Sequence, residues 1–307
     1  MTPQMKTGIW LALAAALISG FANFLGKISV SVMSDAVLFT TLKNGIVAST
    51  LLGLVLAAPY LRTRIQVLTK NEWLKLIAVG AIGGSLPFAL FFTGLQQTSA
   101  LNASLIHKTL FLWVALLAVP FLRERVGLLQ GSALALFAAG NLLVGGFQGF
   151  RYTGAEAMIL GATVLWAVEQ IVAKKALATM PPALVAGARM FFGSLILAAY
   201  VLVRGNENAV LALTGAQWLW TLIPSALLLG YVLTWYAALS RLPVIATASL
   251  LVPASLITNA LSAAFVARTP PPYVAYVAVS YAIAVIATVF AMPKTTVSAR
   301  QTVGATM

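Results

Sequence analysis

Three ionisable residues sit where an apolar chain has least room for them. His107 and Lys108 fall near the middle of the apolar run 99–120, and Glu169 falls past the middle of the run 155–177. An ionisable group inside a membrane span costs about 2.5–3.5 kcal/mol on insertion scales, so each must face protein, water or a solute. Lys108 and Glu169 carry opposite charges and come from opposite halves of the chain. A zwitterion, with one carboxylate and one ammonium, is the complement of such a pair. The same pair has a structural reading, an ion pair that locks the halves together. Adjacent helix positions differ by about 100°, so His107 and Lys108 cannot both point squarely into one hollow, and a helix–helix role for His107 follows. Glu169 and His107 are also the acidic and imidazole groups placed to bind a proton inside the spans.

Aromatic residues offer the wall for such a site. Trp166 lies one turn from Glu169 and Gln170, and Trp113, Tyr231, Trp235, Phe88, Phe91 and Phe92 also lie away from most span ends. Asn102 adds an amide to the helix of Lys108. The expected solute-binding set is therefore Lys108, Glu169, Trp166, His107, Asn102, Trp113 and Tyr231. Catalysis has little to work with: one His, six acids, no Cys, and no metal-ligand cluster, nucleophile elbow or Walker-type phosphate loop. The expectation is no enzyme, no metal and no cofactor.

The elements that must position these residues follow from composition. Of 307 residues, 61% are hydrophobic and 8% charged, against about 45–50% and about 25% in an ordinary globular chain, so a water-facing surface cannot be built. A spanning helix needs about 20 apolar residues. Ten such runs occur, at 7–30, 36–58, 73–95, 99–120, 126–147, 155–177, 183–203, 217–239, 243–265 and 271–292. The predicted fold is an all-α integral membrane protein of ten transmembrane helices arranged as two inverted five-helix repeats. Its parts are 1–150, 151–293 and a tail, 294–307.

Charge supplies orientation. With the N-terminus inside, Lys6, Arg62, Arg64, Lys70, Lys75, Arg123, Arg125, Lys174, Lys175, Arg241, Lys294 and Arg300 fall on the inner side, and only Lys27, Arg151, Arg204 and Arg268 on the outer. That asymmetry predicts both termini in the cytoplasm. It also accounts for the net charge of +13 without nucleic acid. Trp73 and Trp218 open spans three and eight, and Trp10 and Tyr273 sit near span ends, where rings favour the headgroup level.

The halves echo each other. Lys27 lies opposite Lys174 at an offset of 147, Lys43 opposite Arg189 at 146, and Trp73 opposite Trp218 at 145. The segments ASLIHKTLFLWVALLA at 103–118 and ASLLVPASLITNALSA at 248–263 also align at 145. With five spans per half, the second copy must enter from the opposite side, which is the inverted-repeat logic of secondary transporters.

On these residues the chain resembles the ten-helix, EamA-like branch of the drug/metabolite transporter superfamily, which includes metabolite and amino-acid exporters. The resemblance rests on Lys43 in LFTTLKNG and Arg189 in LVAGARMF, the basic residue early in the second helix of each half. It also rests on SALNASL followed by FLRERV, with Glu124 closing the fourth helix. It covers essentially the whole chain. The second half departs from the pattern at Thr269, opposite Glu124, and Lys108 stands where a neutral residue is more usual. The resemblance implies export of small metabolites across a bacterial inner membrane.

Lys43 and Arg189 lie about two turns inside their spans, on opposite membrane sides if the repeat is inverted, and long basic stems snorkel to the interface from that depth. A gating or anchoring role follows for them, with Glu124, Pro87 and Pro253. Pro224 adds a third kink. Polar stripes at Ser19, Asn23 and Lys27 and at Ser255, Thr258, Asn259 and Ser262 read as interhelical hydrogen bonds. Gly80-x-x-x-Gly84 and Gly127-x-x-x-Gly131 would admit close neighbours. Spans five and ten fall outside any cavity, against lipid or the second protomer of a homodimer. The expected function is alternating-access export of small metabolites, amino acids first, with efflux of amphipathic drugs as the alternative.

Overall fold

The computed structural model describes residues 1–144, 153–205, 207–267 and 274–292; Arg151, Arg268, Thr269, Tyr273, Lys294 and Arg300 lie outside them. The described residues form helices and short connections, with no strand among them. The elements are α1 (Pro3–Val32), α2 (Ala36–Ala57), α3 (Pro59–Gln66), α4 (Lys70–Val79), α5 (Leu86–Gln97), α6 (Ala100–Lys108), α7 (Leu110–Leu122), α8 (Leu128–Val144), α9 (Gly154–Leu177), α10 (Pro182–Val203), α11 (Gly215–Leu239), α12 (Val244–Leu250), α13 (Ala254–Ser262) and α14 (Val274–Ala291). A π-helical turn, Gly80–Ser85, joins α4 to α5 in one span, and a second, Ala263–Ala267, extends α13. Among the described residues, eight helical stretches are long and apolar enough to cross a bilayer, and two shorter apolar helices, Leu128–Gly140 and Val277–Ala291, stand at the fifth and tenth positions. Exposed apolar side chains such as Leu17, Leu116, Val203 and Phe290 face outward, as lipid contact requires.

Spans start where side chains satisfy their free N–H groups. Asp35 Oδ1 accepts from the N–H groups of Val37 (2.8 Å) and Leu38 (3.0 Å) at the start of α2. Thr69 with Glu72 opens α4, and Thr214 with Gln217 opens α11, each as a reciprocal capping box. These two boxes, each followed by Trp, fall at the same offset of 145 as Trp73 and Trp218.

The packing obeys a two-fold relation. α1 packs on α11 and its counterpart α9 packs on α5, while α2 pairs with α10, α6 with α13 and α8 with α14. Each of these contacts joins one half to the other. The lysines of the repeat do the same work twice. Lys27 Nζ donates to the carbonyls of Leu95 and Gln96 (2.9 Å each) at the end of α5, and Lys174 Nζ to those of Leu239 and Leu242 (2.7 Å each) at the end of α11. A cation at a helix C-terminus meets carbonyls that lack partners and the negative end of the dipole. Lys174→Met is expected to lower stability by about 2 kcal/mol, with Lys27→Met similar or smaller; thermal melts of the detergent-solubilised protein measure both.

Spans four and nine are broken at matching depth. α6 stops at Lys108 and α7 starts at Leu110, while α12 stops at Leu250 and α13 starts at Ala254. In the second half Pro253 makes the break; in the first, Thr109 Oγ1 turns back onto the carbonyl of Ile106 (2.7 Å). Pro87 follows the π turn in the first turn of α5, and Pro224 sits inside α11. Gly80 and Gly84 are required where they stand, because an added Cβ would lie 2.4 Å from Phe192 Cβ and 2.1 Å from the carbonyl of Arg189. The expectation for Gly127 and Gly131 is corrected: Gly127 has nothing within 4 Å and Gly131 only Val126 at 3.9 Å, since this stretch begins α8 at the surface.

Candidate functional site

Between the halves lies a cavity of about 80 Å³, lined from α1, α2, α5, α6, α7, α9, α10 and α11. It has room for several waters at about 10–15 Å³ each. Its polar lining is Ser19, Asn23, Lys43, His107, Glu169, Gln170 and Arg189, and Phe88, Phe91, Phe92, Trp166, Tyr231 and Trp235 supply the rings.

The π turn organises one side. A wide turn leaves carbonyls without helical partners, and in a membrane these must be satisfied by protein. The carbonyl of Gly83 accepts from Trp166 Nε1 (3.0 Å) and Arg189 Nη2 (3.1 Å), and that of Gly84 accepts from Asn44 Nδ2 (3.2 Å). Gly83 has no room for a side chain, because a Cβ there would lie 2.2 Å from Glu169 Cγ. Three helices of both halves, α2, α9 and α10, are thereby registered on one turn.

The cations meet at a single ring. Lys43 Nζ lies 4.5 Å from the centroid of Phe88 and 4.6 Å from that of Phe92, and the Arg189 guanidinium lies 5.3 Å from Phe88. Lys43 Nζ also donates to Asn44 Oδ1 (2.9 Å). These two residues were expected to snorkel to opposite interfaces; instead they are 2% and 4% exposed and share the cavity wall. The reason is the repeat axis. Each stem starts seven residues inside its helix, from opposite faces of the membrane, and both reach toward the middle, where aromatic faces receive a cation.

Glu169 supplies the opposite charge. It is 1% exposed, lines the cavity, and accepts a hydrogen bond from the Tyr236 hydroxyl. Its expected partner, Lys108, is not part of the wall. Lys108 Nζ turns to α1 and donates to Ser19 Oγ (2.9 Å), and no carboxylate among the described residues pairs with it. The 100° step between neighbours therefore favours His107, a member of the expected binding set for which a helix–helix role was the competing reading; it lines the cavity with its ring 4.8 Å from Trp166 and 5.3 Å from Phe91. Trp166 and Tyr231 line the cavity, Tyr231 stacked on Trp235 at 5.9 Å. Asn102 and Trp113 do not: Asn102 Nδ2, in the first turn of α6, donates to Glu156 Oε1 (2.5 Å), and Trp113 Nε1 donates to Thr109 Oγ1 (3.3 Å).

Gln170, expected beside Trp166 but outside the binding set, and Asn23, expected in an interhelical stripe, both line the cavity. The available signal was spacing: Gln170 stands one turn from Trp166, and Asn23 one turn from Ser19. The stripe of span nine stays interhelical, with Thr258 Oγ1 donating to the carbonyl of Gly20 (3.0 Å) and Ser255 Oγ 3.1 Å from the Tyr281 hydroxyl.

Polar links join the halves at helix ends on both faces of the bundle. On the face that holds the N-terminus, Glu124 accepts from the backbone N–H groups of Val244 (2.7 Å) and Ile245 (3.1 Å), and Arg64, paired with Glu72, donates to the carbonyl of Thr179 (3.2 Å). On the opposite face Arg204 pairs with Asp35 (3.4 Å), and Asn102 binds Glu156. Each set joins the halves.

This is a multi-pass membrane protein of inverted-repeat architecture with a cavity of polar and aromatic side chains between the halves. Residues 6–146 and 153–292 each match the EamA-like transporter family, and the chain belongs to that family. No curated protein matches it. One solved structure, titled only as the crystal structure of a protein, is similar in fold, with a TM-score of 0.70 at 16% identity over 93% of this chain and 96% of that one.

Proposed function

We propose that the chain is a secondary transporter that exports small zwitterionic metabolites, amino acids foremost, by alternating access across a bacterial inner membrane. The observation that carries this reading is the wall of the cavity, where Lys43 and Arg189 stand beside Glu169 among six aromatic rings. The cations suit a carboxylate and Glu169 suits an ammonium; two cations against one acid disfavour a cationic drug. Lys108 enters as a positioning residue that holds Ser19 at the wall.

A cavity of about 80 Å³ is smaller than the about 300 Å³ at which small-molecule sites begin. With polar links joining the halves at helix ends on both faces, it fits an occluded stage between two open states, each reached by breaking one set. Export follows the EamA-like resemblance to metabolite exporters, and the basic excess on the N-terminal face supports termini in the cytoplasm. Tyr60→Cys and Leu211→Cys test the orientation without background, because the chain has no Cys and both positions are exposed. In intact cells a membrane-impermeant maleimide is expected to label Cys at 211 and to reach 60 only after permeabilisation.

The function is tested by counterflow in proteoliposomes with each of the twenty labelled amino acids and a cationic dye. Exchange of amino acids but not dye is expected; exchange of the dye alone overturns the reading.

A further inference from the structure

Three residues that line the cavity each hold a buried polar atom with no hydrogen-bond partner among the described residues: Arg189 Nε, His107 Nδ1 and Gln170 Oε1. Leaving such an atom unpaired costs about 1–3 kcal/mol each, so a site that tolerates three in one hollow is arranged for a group that arrives with the solute. Arg189 Nε belongs to the carboxylate end already described. The other two lie elsewhere on the wall. His107, on α6, packs its ring edge-on against Trp166, and Gln170 follows Trp166 by one turn of α9, so both flank the same indole. Gln170 is 2% exposed and His107 8%.

We infer that His107 and Gln170 form a side-chain subsite that selects amino acids whose neutral side chain ends in a hydroxyl or carboxamide over apolar ones of the same shape. This rests on the amino-acid reading above. The chemistry is reciprocal. A neutral imidazole and a carboxamide each hold both a donor and an acceptor, and a hydroxyl or amide also does both. Whichever end of Gln170 faces inward, a hydroxyl satisfies it. A methyl or thioether in the same place would bury both groups unpaired, and a site built to hydrogen-bond a solute group rejects the analogue that lacks it. A full charge on the solute side chain would find no counter-ion at these two residues. The aromatic surroundings, Phe91 and Trp166, accept the apolar stem.

Competition in counterflow with matched pairs tests this: threonine against valine, tyrosine against phenylalanine, glutamine against methionine. In the wild type the polar member of at least two pairs is expected to compete about tenfold better. Gln170→Leu and His107→Phe are expected to bring the paired members within about twofold of each other, because the polar member loses its hydrogen bonds and the apolar member no longer leaves two groups unpaired. Monodisperse elution of both variants in size-exclusion chromatography shows them to be folded. Equal competition within the pairs by the wild-type protein, which needs no variant, overturns the subsite and leaves the amino-acid function standing. So does a preference that survives Gln170→Leu and His107→Phe together. Failure of every amino acid to exchange removes the functional reading and the subsite with it.

Discussion

Arg189→Met is expected to reduce the apparent affinity for a zwitterionic solute at least about 30-fold while leaving a monodisperse, helical protein. Truncating one partner of a buried charge contact costs about 2–5 kcal/mol, and the lower bound of that range corresponds to about 30-fold. The fold has reason to survive, because the carbonyl of Gly83 keeps its bond from Trp166 Nε1 when Arg189 Nη2 is gone. Arg189→Lys is expected to restore little. A lysine ammonium cannot reproduce a planar fork that holds the Gly83 carbonyl through Nη2 and keeps further donors for a carboxylate. Lys43→Met, which removes a cation held over two rings and by Asn44, is expected to weaken the same step. Glu169→Gln should act at the other end of the solute: a desamino analogue, a plain carboxylic acid, should compete relatively better in that variant than in the wild type. The KM for counterflow across these variants is the measurement, and wild-type KM in Arg189→Met would dismiss the carboxylate site.

The larger structural effect is expected at Gly84. A Cβ there would stand 2.1 Å from the carbonyl oxygen of Arg189 and 3.0 Å from Gly193 Cα, and the reverse substitution would put a Cβ 2.3 Å from Gly84. Both obstacles are backbone, so no rotamer change relieves them. Gly84→Val is therefore expected to prevent α10 from seating on the π turn, at a cost above about 4 kcal/mol, read as loss of the monodisperse peak in size-exclusion chromatography. Gly45→Val on α2 is the matched control, since nothing lies within 4 Å of its Cβ position. Gly83→Ala falls between the two: its nearest obstacle is the Glu169 side chain, which can move, so transport should suffer more than folding.

These expectations show where sequence and structure each carry weight. The ten spans are legible because an apolar run bounded by Thr, Pro and charge has little other use in a chain with 8% charged residues. The repeat is legible because its markers are chemically costly in a membrane. Lys27 and Lys174 recur at a fixed offset, and each caps the third span of its own half. The boxes at Thr69 and Thr214 carried the same message in plain view. The π turn was not legible: Gly80-Ala-Ile-Gly-Gly-Ser reads as a close-packing motif, and only the approach of α10 shows that its carbonyls are spoken for by Trp166, Arg189 and Asn44.

The amino-acid sequence alone thus determined that this is a membrane protein of two inverted five-helix repeats, because hydrophobicity, length and charge offset do not depend on how helices are turned. The tertiary structure decided which polar residues face the hollow. In a soluble helix the apolar stripe announces its buried face; in a span apolar on nearly every side, rotation about the axis is left to neighbouring helices. One step of about 100° turned His107 inward and Lys108 toward Ser19, and the same packing drew Lys43 and Arg189 from their separate faces to one phenylalanine.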